Sequence, residues 1–397
     1  MESTQMADSK NRPELAREEM VLASASGGSC RLLLVTPRYF PYMGGVENHV
    51  YQVARRLARY GIDTTVLTTD PTAQLPASEK SDGVMIRRVR AWPSRQDYYF
   101  APDIYSIITR ERWDLVHVQS YHTLVAPLAM FAALKANIPY VVTFHGGGHS
   151  SRLRHALRGV QQWLLRPLLA RADRLVAIAE FEVSSFGKRL RLPQEQFVFI
   201  PNGGDLPNVT DMAPVSVDEG LIVSIGRLER YKGHHRAIAA LPGILAQRPD
   251  VRLWIAGAGP YESKLWDLAR ELGVAHRVNI YAVPATERER MARELSKAAL
   301  VVLFSEYETH PIAVLEALAL GRPVLVANTS GLGELARRGL AQSVPLKSTP
   351  AQVAAAILEQ LYRPHKPPPI DLPTWDDCAA GLLALYNNVN RRPSCVS

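Results

Sequence analysis

Short β-rich apolar runs alternate with segments of helical periodicity from Leu32 onward, and this alternation constrains the fold more than any other feature of the chain. It predicts parallel sheets with helices on both faces. Strands are expected at 32–35, 64–68, 84–89, 115–118, 140–144, 175–178 and 197–200. The turn-rich, acidic, proline-containing segment 201–220 then breaks the pattern and reads as a linker. Beyond it, strands are expected at 221–225, 252–256, 278–281, 300–304 and 324–327. His365-Lys-Pro-Pro-Pro-Ile370 is a stiff connector to a last helix, which Thr374 caps with Asp377 standing where a capping box usually has Glu or Gln. Leu382, Leu385 and Tyr386 share one face of that helix. The expectation is two doubly wound α/β domains, 29–207 and 208–373, with segment 374–397 returning to the first and 1–28 a disordered leader.

A chain of 397 residues is long enough for two such cores. Lys and Arg number 46 against 38 Asp and Glu, a net charge of +8 that suits phosphate-bearing ligands or an anionic membrane surface. No Lys/Arg tract or nucleic-acid motif occurs, so nucleic acid is not expected as a partner. Only Cys30, Cys378 and Cys395 are present, without CxxC or zinc-like spacing, which fits a reduced cytosolic compartment and no metal. The leader lacks the apolar core of a signal peptide, and no apolar run reaches spanning length. A cytoplasmic protein, soluble or peripheral at the membrane, is expected.

Open α/β sheets take ligands at the carboxyl ends of their strands, so two such domains facing one another are expected to enclose a cleft lined by strand-to-helix loops. After the first strand comes Pro37-Arg-Tyr-Phe-Pro-Tyr-Met-Gly-Gly-Val46, where Gly44 and Gly45 allow close backbone approach at a helix start. Strand 140–144 ends in His145 and three glycines, which suits a hydrogen bond to a reacting group or a structural tie within its own loop. His117 and His122 carry a weaker version of that signal. In the second domain Ser224-Ile-Gly-Arg-Leu-Glu-Arg-Tyr-Lys-Gly-His-His235 sets Arg227 and Lys232 at a strand end, two cations that could neutralise a diphosphate. Ile255-Ala-Gly-Ala-Gly-Pro260 offers half of a dinucleotide fingerprint, but the third glycine and the ribose acid are missing. Strand 300–304 runs into Ser305-Glu-Tyr-Glu-Thr-His-Pro-Ile312 and a helix closed by Gly321. Glu308 lies in that loop and Glu316 about two turns along the helix, so the pair can flank a ligand over the helix start. The N–H groups of Thr309, His310 and Ile312 are expected as open donors to a phosphate there. Carboxylates for sugar hydroxyls beside amides and cations for phosphates describe a nucleotide-sugar site.

Taken in order, these pieces resemble the retaining GT-B glycosyltransferases of glycosyltransferase family 4, from about Leu32 to Tyr386. The matching pieces are Gly44-Gly-Val-Glu47, Thr143-Phe-His-Gly146, Ile200-Pro-Asn-Gly203 with Asp205, Gly226-Arg227 with Lys232-Gly233, Ala256-Gly-Ala-Gly-Pro260, Glu308 with Glu316, Gly331 with Glu334, and the Trp375 helix. The resemblance implies that Arg227 and Lys232 hold the donor diphosphate, Glu316 the ribose hydroxyls and Glu308 the transferred sugar. It also implies that Gly45 meets the phosphates and that His145 contacts the sugar near its anomeric carbon. The resemblance implies a UDP- or GDP-linked donor sugar and no further cofactor. It implies as acceptor a sugar, a lipid-linked sugar or a small molecule. The chain departs from the family where Thr309-His310-Pro311 replaces a Gly-Phe-Gly-like run, where Ser330 replaces a glycine, and where Gly204 replaces an aliphatic residue. Proline removes a backbone donor, and the histidine alters the sugar pocket. A sugar-nucleotide epimerase or phosphorylase of the same fold, or a silent sugar-nucleotide-binding protein, would share these residues.

Segment 150–171 has two readings. Leu153, Leu157, Val160, Trp163, Leu164 and Leu168 recur at helical spacing among five arginines, as in a helix that lies on an anionic membrane. The same pattern suits a helix packed on the first sheet, and Pro167 favours that reading because it interrupts a continuous face.

Overall fold

The computed structural model describes residues 30–42, 44–70, 72–92, 100–146, 152–204, 215–284, 287–370 and 372–390, with the side chains of 152–158 and 390 excepted. The expected leader, Asp205 and half of the expected linker lie outside them. The described chain forms two compact units, one of 30–146, 157–203 and 373–390, the other of 152–156, 204 and 215–372.

In the first unit β1 (Arg31–Val35), α1 (Gly45–Arg59), β2 (Asp63–Asp70), β3 (Ser78–Ser81), β4 (Val84–Arg90), α2 (Asp103–Arg110), β5 (Leu115–Gln119), α3 (Val125–Lys135), β6 (Tyr140–Phe144), α4 (Arg152–Leu169), β7 (Arg174–Ala177), α5 (Glu180–Leu190) and β8 (Phe197–Phe199) follow one another. The sheet order is β3-β4-β2-β1-β5-β6-β7-β8, parallel except for the β3–β4 pair. Successive residues of a strand point to opposite faces. Leu33, Val35 and Leu67 accordingly pack with α2 and α3, while Leu32, Leu34 and Val66 pack with α1 and the C-terminal helix.

The second unit runs β9 (Asp218–Ile225), α6 (His234–Leu245), β10 (Arg252–Ala256), α7 (Glu262–Glu271), β11 (Val278–Tyr281), α8 (Arg288–Ser296), β12 (Ala298–Leu303), α9 (Ile312–Ala319), β13 (Val324–Ala327), α10 (Ser330–Arg337), β14 (Gln342–Val344) and α11 (Pro350–Tyr362). Its sheet is parallel throughout, in the order β11-β10-β9-β12-β13-β14. That order reverses direction between β9 and β12, and a doubly wound sheet binds ligands outside the carboxyl ends of the strands at such a point. β9 begins at Asp218, inside the stretch expected to be linker, because Asp218 N–H donates to Lys297 O at 2.8 Å and opens the pairing with β12.

The last helix, α12 (Trp375–Asn390), returns to the first unit. Thr374 and Asp377 form the expected reciprocal cap, with Thr374 N–H to Asp377 Oδ2 at 2.9 Å and Asp377 N–H to Thr374 Oγ1 at 3.1 Å. Trp375, Cys378, Leu382 and Tyr386 bury against α1. A Cβ on Gly203 would lie 2.2 Å from the Trp375 nitrogen, so only glycine lets the helix start dock there.

Candidate active site

At the switch point of the second unit the loops after β9 and β12 are laced together. A 3-10 turn, Arg230–Lys232, ends in Gly233 at φ +78, where an added Cβ would meet the Phe304 carbonyl at 2.1 Å. That contact brings Lys232 against the end of β12. Lys232 Nζ donates to Glu308 Oε1 at 2.6 Å, and Ser305 Oγ donates to the same oxygen at 2.7 Å. Both charged side chains are largely buried, 17% and 11% exposed, so each partner offsets the other's desolvation. Arg227 stands apart from this pair, 65% exposed and bridged to Glu229 at 2.5 Å. The predicted cations therefore differ: one is a half-sequestered partner of Glu308, the other a surface guanidinium.

The Glu308 loop is also held from its far side. Glu308 N–H donates to Ser330 Oγ at 2.8 Å, and Gly331 N–H donates to Glu308 O at 2.9 Å. Ser330 has φ +37, in the region that favours glycine, so the residue that replaces the family's glycine accepts backbone strain and gains a hydrogen bond. A Cβ on Gly331 would lie 2.4 Å from the Thr309 carbonyl, which fixes how closely α10 approaches.

One expectation about this loop is corrected. Ile312 N–H is not open to a phosphate, because it donates to His310 O at 2.9 Å. Pro311, at φ −79 and ψ 74, is the centre of an inverse γ-turn that uses this donor, and proline itself has none. Thr309 is buried and His310 half-buried beside the turn. One of the three amides expected at the start of α9 is thus lost to a ligand.

Glu316 is buried, its side chain 5% exposed, and it is paired with Arg288, the first residue of α8. The sequence gives no hint of that partner. Three further residues hold the site, of which His234 had no expected role. His234 joins Ser224 Oγ at 2.8 Å and Arg227 O at 3.3 Å, and burial lowers its pKa to about 4, so a neutral ring ties down the Arg227 turn. Gly257 and Gly259 face the backbone of Gly226 and Leu228 at 2.0 and 2.6 Å from an added Cβ, so the Ala256–Pro260 turn packs closely on the loop after β9.

In the first unit the corresponding strand ends carry histidines. His145 follows β6, is 6% exposed, and lies 2.8 Å through Nε2 from Gln119 Oε1 at the end of β5. Burial, reinforced by His49, His117 and His122, holds its pKa well below the ordinary value, so it is neutral near pH 7. His117 is enclosed between Tyr386 Oη at 2.5 Å and Thr143 Oγ1 at 2.7 Å, with its pKa lowered to about 3 by burial. It is a tie between β5, β6 and α12. His122 Nε2 donates to His145 O at 3.0 Å. At the start of α1 an added Cβ on Gly45 would meet nothing within 4 Å, whereas one on Gly44 would meet the Glu47 carboxylate at 2.4 Å. Gly45 therefore borders open space. Among the described residues no group of three or more His, Cys, Asp or Glu is arranged to hold a metal ion.

Residues 43–207 match the sequence profile of Glycosyltransferase Family 4, and residues 212–367 match that of Glycosyl transferases group 1. The chain belongs to glycosyltransferase family 4. This glycosyltransferase is 29% identical over 361 residues to a D-inositol 3-phosphate glycosyltransferase of Nocardiopsis dassonvillei, covering 81% of this chain and 82% of that one. Its fold is similar to that of sucrose-phosphate synthase from Thermosynechococcus elongatus, with TM-score 0.67, 19% identity, and coverage of 91% of this chain and 96% of that one. It is also similar to Anabaena Alr3699/HepE in complex with UDP, with TM-score 0.65, 18% identity, and coverage of 91% and 97%. The fold class of the glycosyltransferase is GT-B.

Proposed function

We propose that the protein is a retaining, metal-independent glycosyltransferase that moves a sugar from a UDP- or GDP-linked donor to an acceptor hydroxyl, in glycan, glycolipid or glycosylated-metabolite synthesis. The observation that carries this reading is the Lys232–Glu308 pair at the switch point of the second sheet, with Arg227, exposed and bridged to Glu229, on the same turn. The complex of HepE with UDP, in a chain of the same fold, supports a nucleotide diphosphate as the donor's leaving group.

In this reading the bond between the anomeric carbon and the diphosphate oxygen breaks as the acceptor oxygen bonds to the same face of the sugar. The departing phosphate oxygen takes the acceptor's proton. Negative charge builds on the diphosphate, where Arg227 and Lys232 stabilise it, and the sugar becomes oxocarbenium-like. Glu308, already fixed by Lys232 and Ser305, accepts hydrogen bonds from the sugar hydroxyls. Glu316 takes the ribose hydroxyls with Arg288 held against its carboxylate. His145 hydrogen-bonds the sugar as a neutral ring, and Gly45 lets the phosphates approach α1. Metal independence is supported by the lack of any D-x-D triplet in the sequence and by fixed cations in the role that a metal would play.

The test is incubation with a panel of nucleotide sugars and candidate acceptors, including lipid-linked sugars, with and without EDTA. The expected result is a sugar joined to the acceptor with its anomeric configuration kept, at an unchanged rate in EDTA. Free epimerised sugar nucleotide, an inverted linkage, or activity lost to EDTA and restored by manganese would contradict the reading.

A further inference from the structure

Helix α4 carries an apolar stripe on its outer face. Val160, Trp163 and Leu164 are 55%, 70% and 62% exposed, and Pro167 is exposed as well. The spacing 160, 163, 164, 167 sets all four on one side of a helix. The opposite side anchors the helix: Gln162, Leu165 and Leu169 are buried, and Gln162 Nε2 donates to Tyr121 Oη at 2.9 Å. The exposed residues are therefore presented by a fixed scaffold.

Pro167 does not divide this face. The helix runs unbroken from Arg152 to Leu169, with Pro167 in its last turn. Packing on the sheet, the alternative the sequence favours, does not account for Trp163 or Leu164, because both point away from the core.

The helix itself carries charge of one sign, with no Asp or Glu between 152 and 169. Arg166 Nε donates to Leu190 O at 2.8 Å, which carries its guanidinium to the end of α5, where Lys188, Arg189 and Arg191 are exposed. A tryptophan and aliphatic side chains rimmed by cations match the boundary between headgroups and acyl chains of a bilayer, with arginines on lipid phosphates. A second copy of the chain is a poor occupant, since a two-fold contact through this face would set one basic rim against another.

We propose that this face of α4 docks on an anionic lipid surface. The proposal stands apart from the reading of the donor site. It is tested by sedimenting the full chain with vesicles of phosphatidylcholine, alone or mixed with phosphatidylglycerol, at low and high salt. Binding to the anionic vesicles is expected, falling about tenfold with salt. The double substitution Trp163→Gln with Leu164→Gln, at exposed positions that leave the circular dichroism unchanged, weakens it about tenfold or more. Lys188→Glu with Arg189→Glu, at exposed positions, weakens it by a similar factor. Wild type ignoring anionic vesicles at low salt, equal binding to neutral vesicles, or wild-type binding by the double variant overturns the proposal. So does light scattering in which the double variant loses a dimer while vesicle binding is kept, which would make the face a protein interface.

Discussion

Lys232 and Arg227 look equivalent in the sequence and are separated by their surroundings. Both face the same task in the proposed reaction, where loss of one cation costs roughly 2.7–4 kcal/mol of transition-state stabilisation. Their cost to the fold differs. Arg227→Ala removes an exposed side chain and is expected to leave the melting temperature nearly unchanged, while turnover falls by orders of magnitude. Lys232→Ala strands a largely buried Glu308 and is expected to lower stability by about 1–3 kcal/mol as well. Differential scanning calorimetry beside initial rates separates the two effects, and equal melting temperatures would contradict the pairing. Arg288 could not be found from the sequence, because no local pattern joins the first residue of α8 to a carboxylate on α9. It acts through Glu316, so Arg288→Ala is expected to raise the donor KM about tenfold with kcat little changed, and Arg288→Lys to recover part of the loss. A fall in kcat alone would give Arg288 another role.

The elements were legible wherever burial imposed a period. Strands 140–144, 252–256, 278–281 and 324–327 lie where the apolar runs predict them, and Thr374 caps its helix with Asp377. Two edge strands were not legible. β3 is Ser-Glu-Lys-Ser with every residue exposed, and β14 has three residues, so neither carries an alternation to read. The Glu308 loop was legible in its charges and not in its backbone, since an inverse γ-turn at Pro311 uses a donor that the start of a helix would leave free. Ser330 shows the same limit: its place in the motif was visible, its φ of +37 and its bond to Glu308 N–H were not. Glycine at this position relieves strain and loses the bond, two effects of about 1 kcal/mol that nearly cancel, whereas alanine keeps the strain and loses the bond. Ser330→Ala is therefore expected to destabilise the protein more than Ser330→Gly, as urea denaturation would show. The reverse order would contradict the account of this turn.

Across the whole molecule, buried histidines couple stability to pH. His117 has a folded pKa of about 3 against an ordinary 6.5, so above pH 6.5 both folded and unfolded chains leave it neutral and its contribution is complete. As pH falls below 6.5 the unfolded chain binds a proton that the native chain refuses, and stability drops by about 1.4 kcal/mol per pH unit, about 2 kcal/mol at pH 5. His145 in the same unit and His234 in the other shift in the same direction. Urea denaturation at pH 7 and pH 5 should show the loss, and His117→Gln should make it smaller by about 2 kcal/mol while the share of His145 and His234 remains; a pH-independent midpoint would contradict the buried neutral rings. The central claim, that the second unit binds the diphosphate of a sugar nucleotide through Arg227 and Lys232, is tested most directly by calorimetric titration of UDP- and GDP-sugars into the wild type, Arg227→Ala and Lys232→Ala. The account predicts one-to-one binding of at least one donor by the wild type and affinities weaker by roughly 100-fold in each variant. Donor binding of undiminished affinity by both folded variants would contradict it.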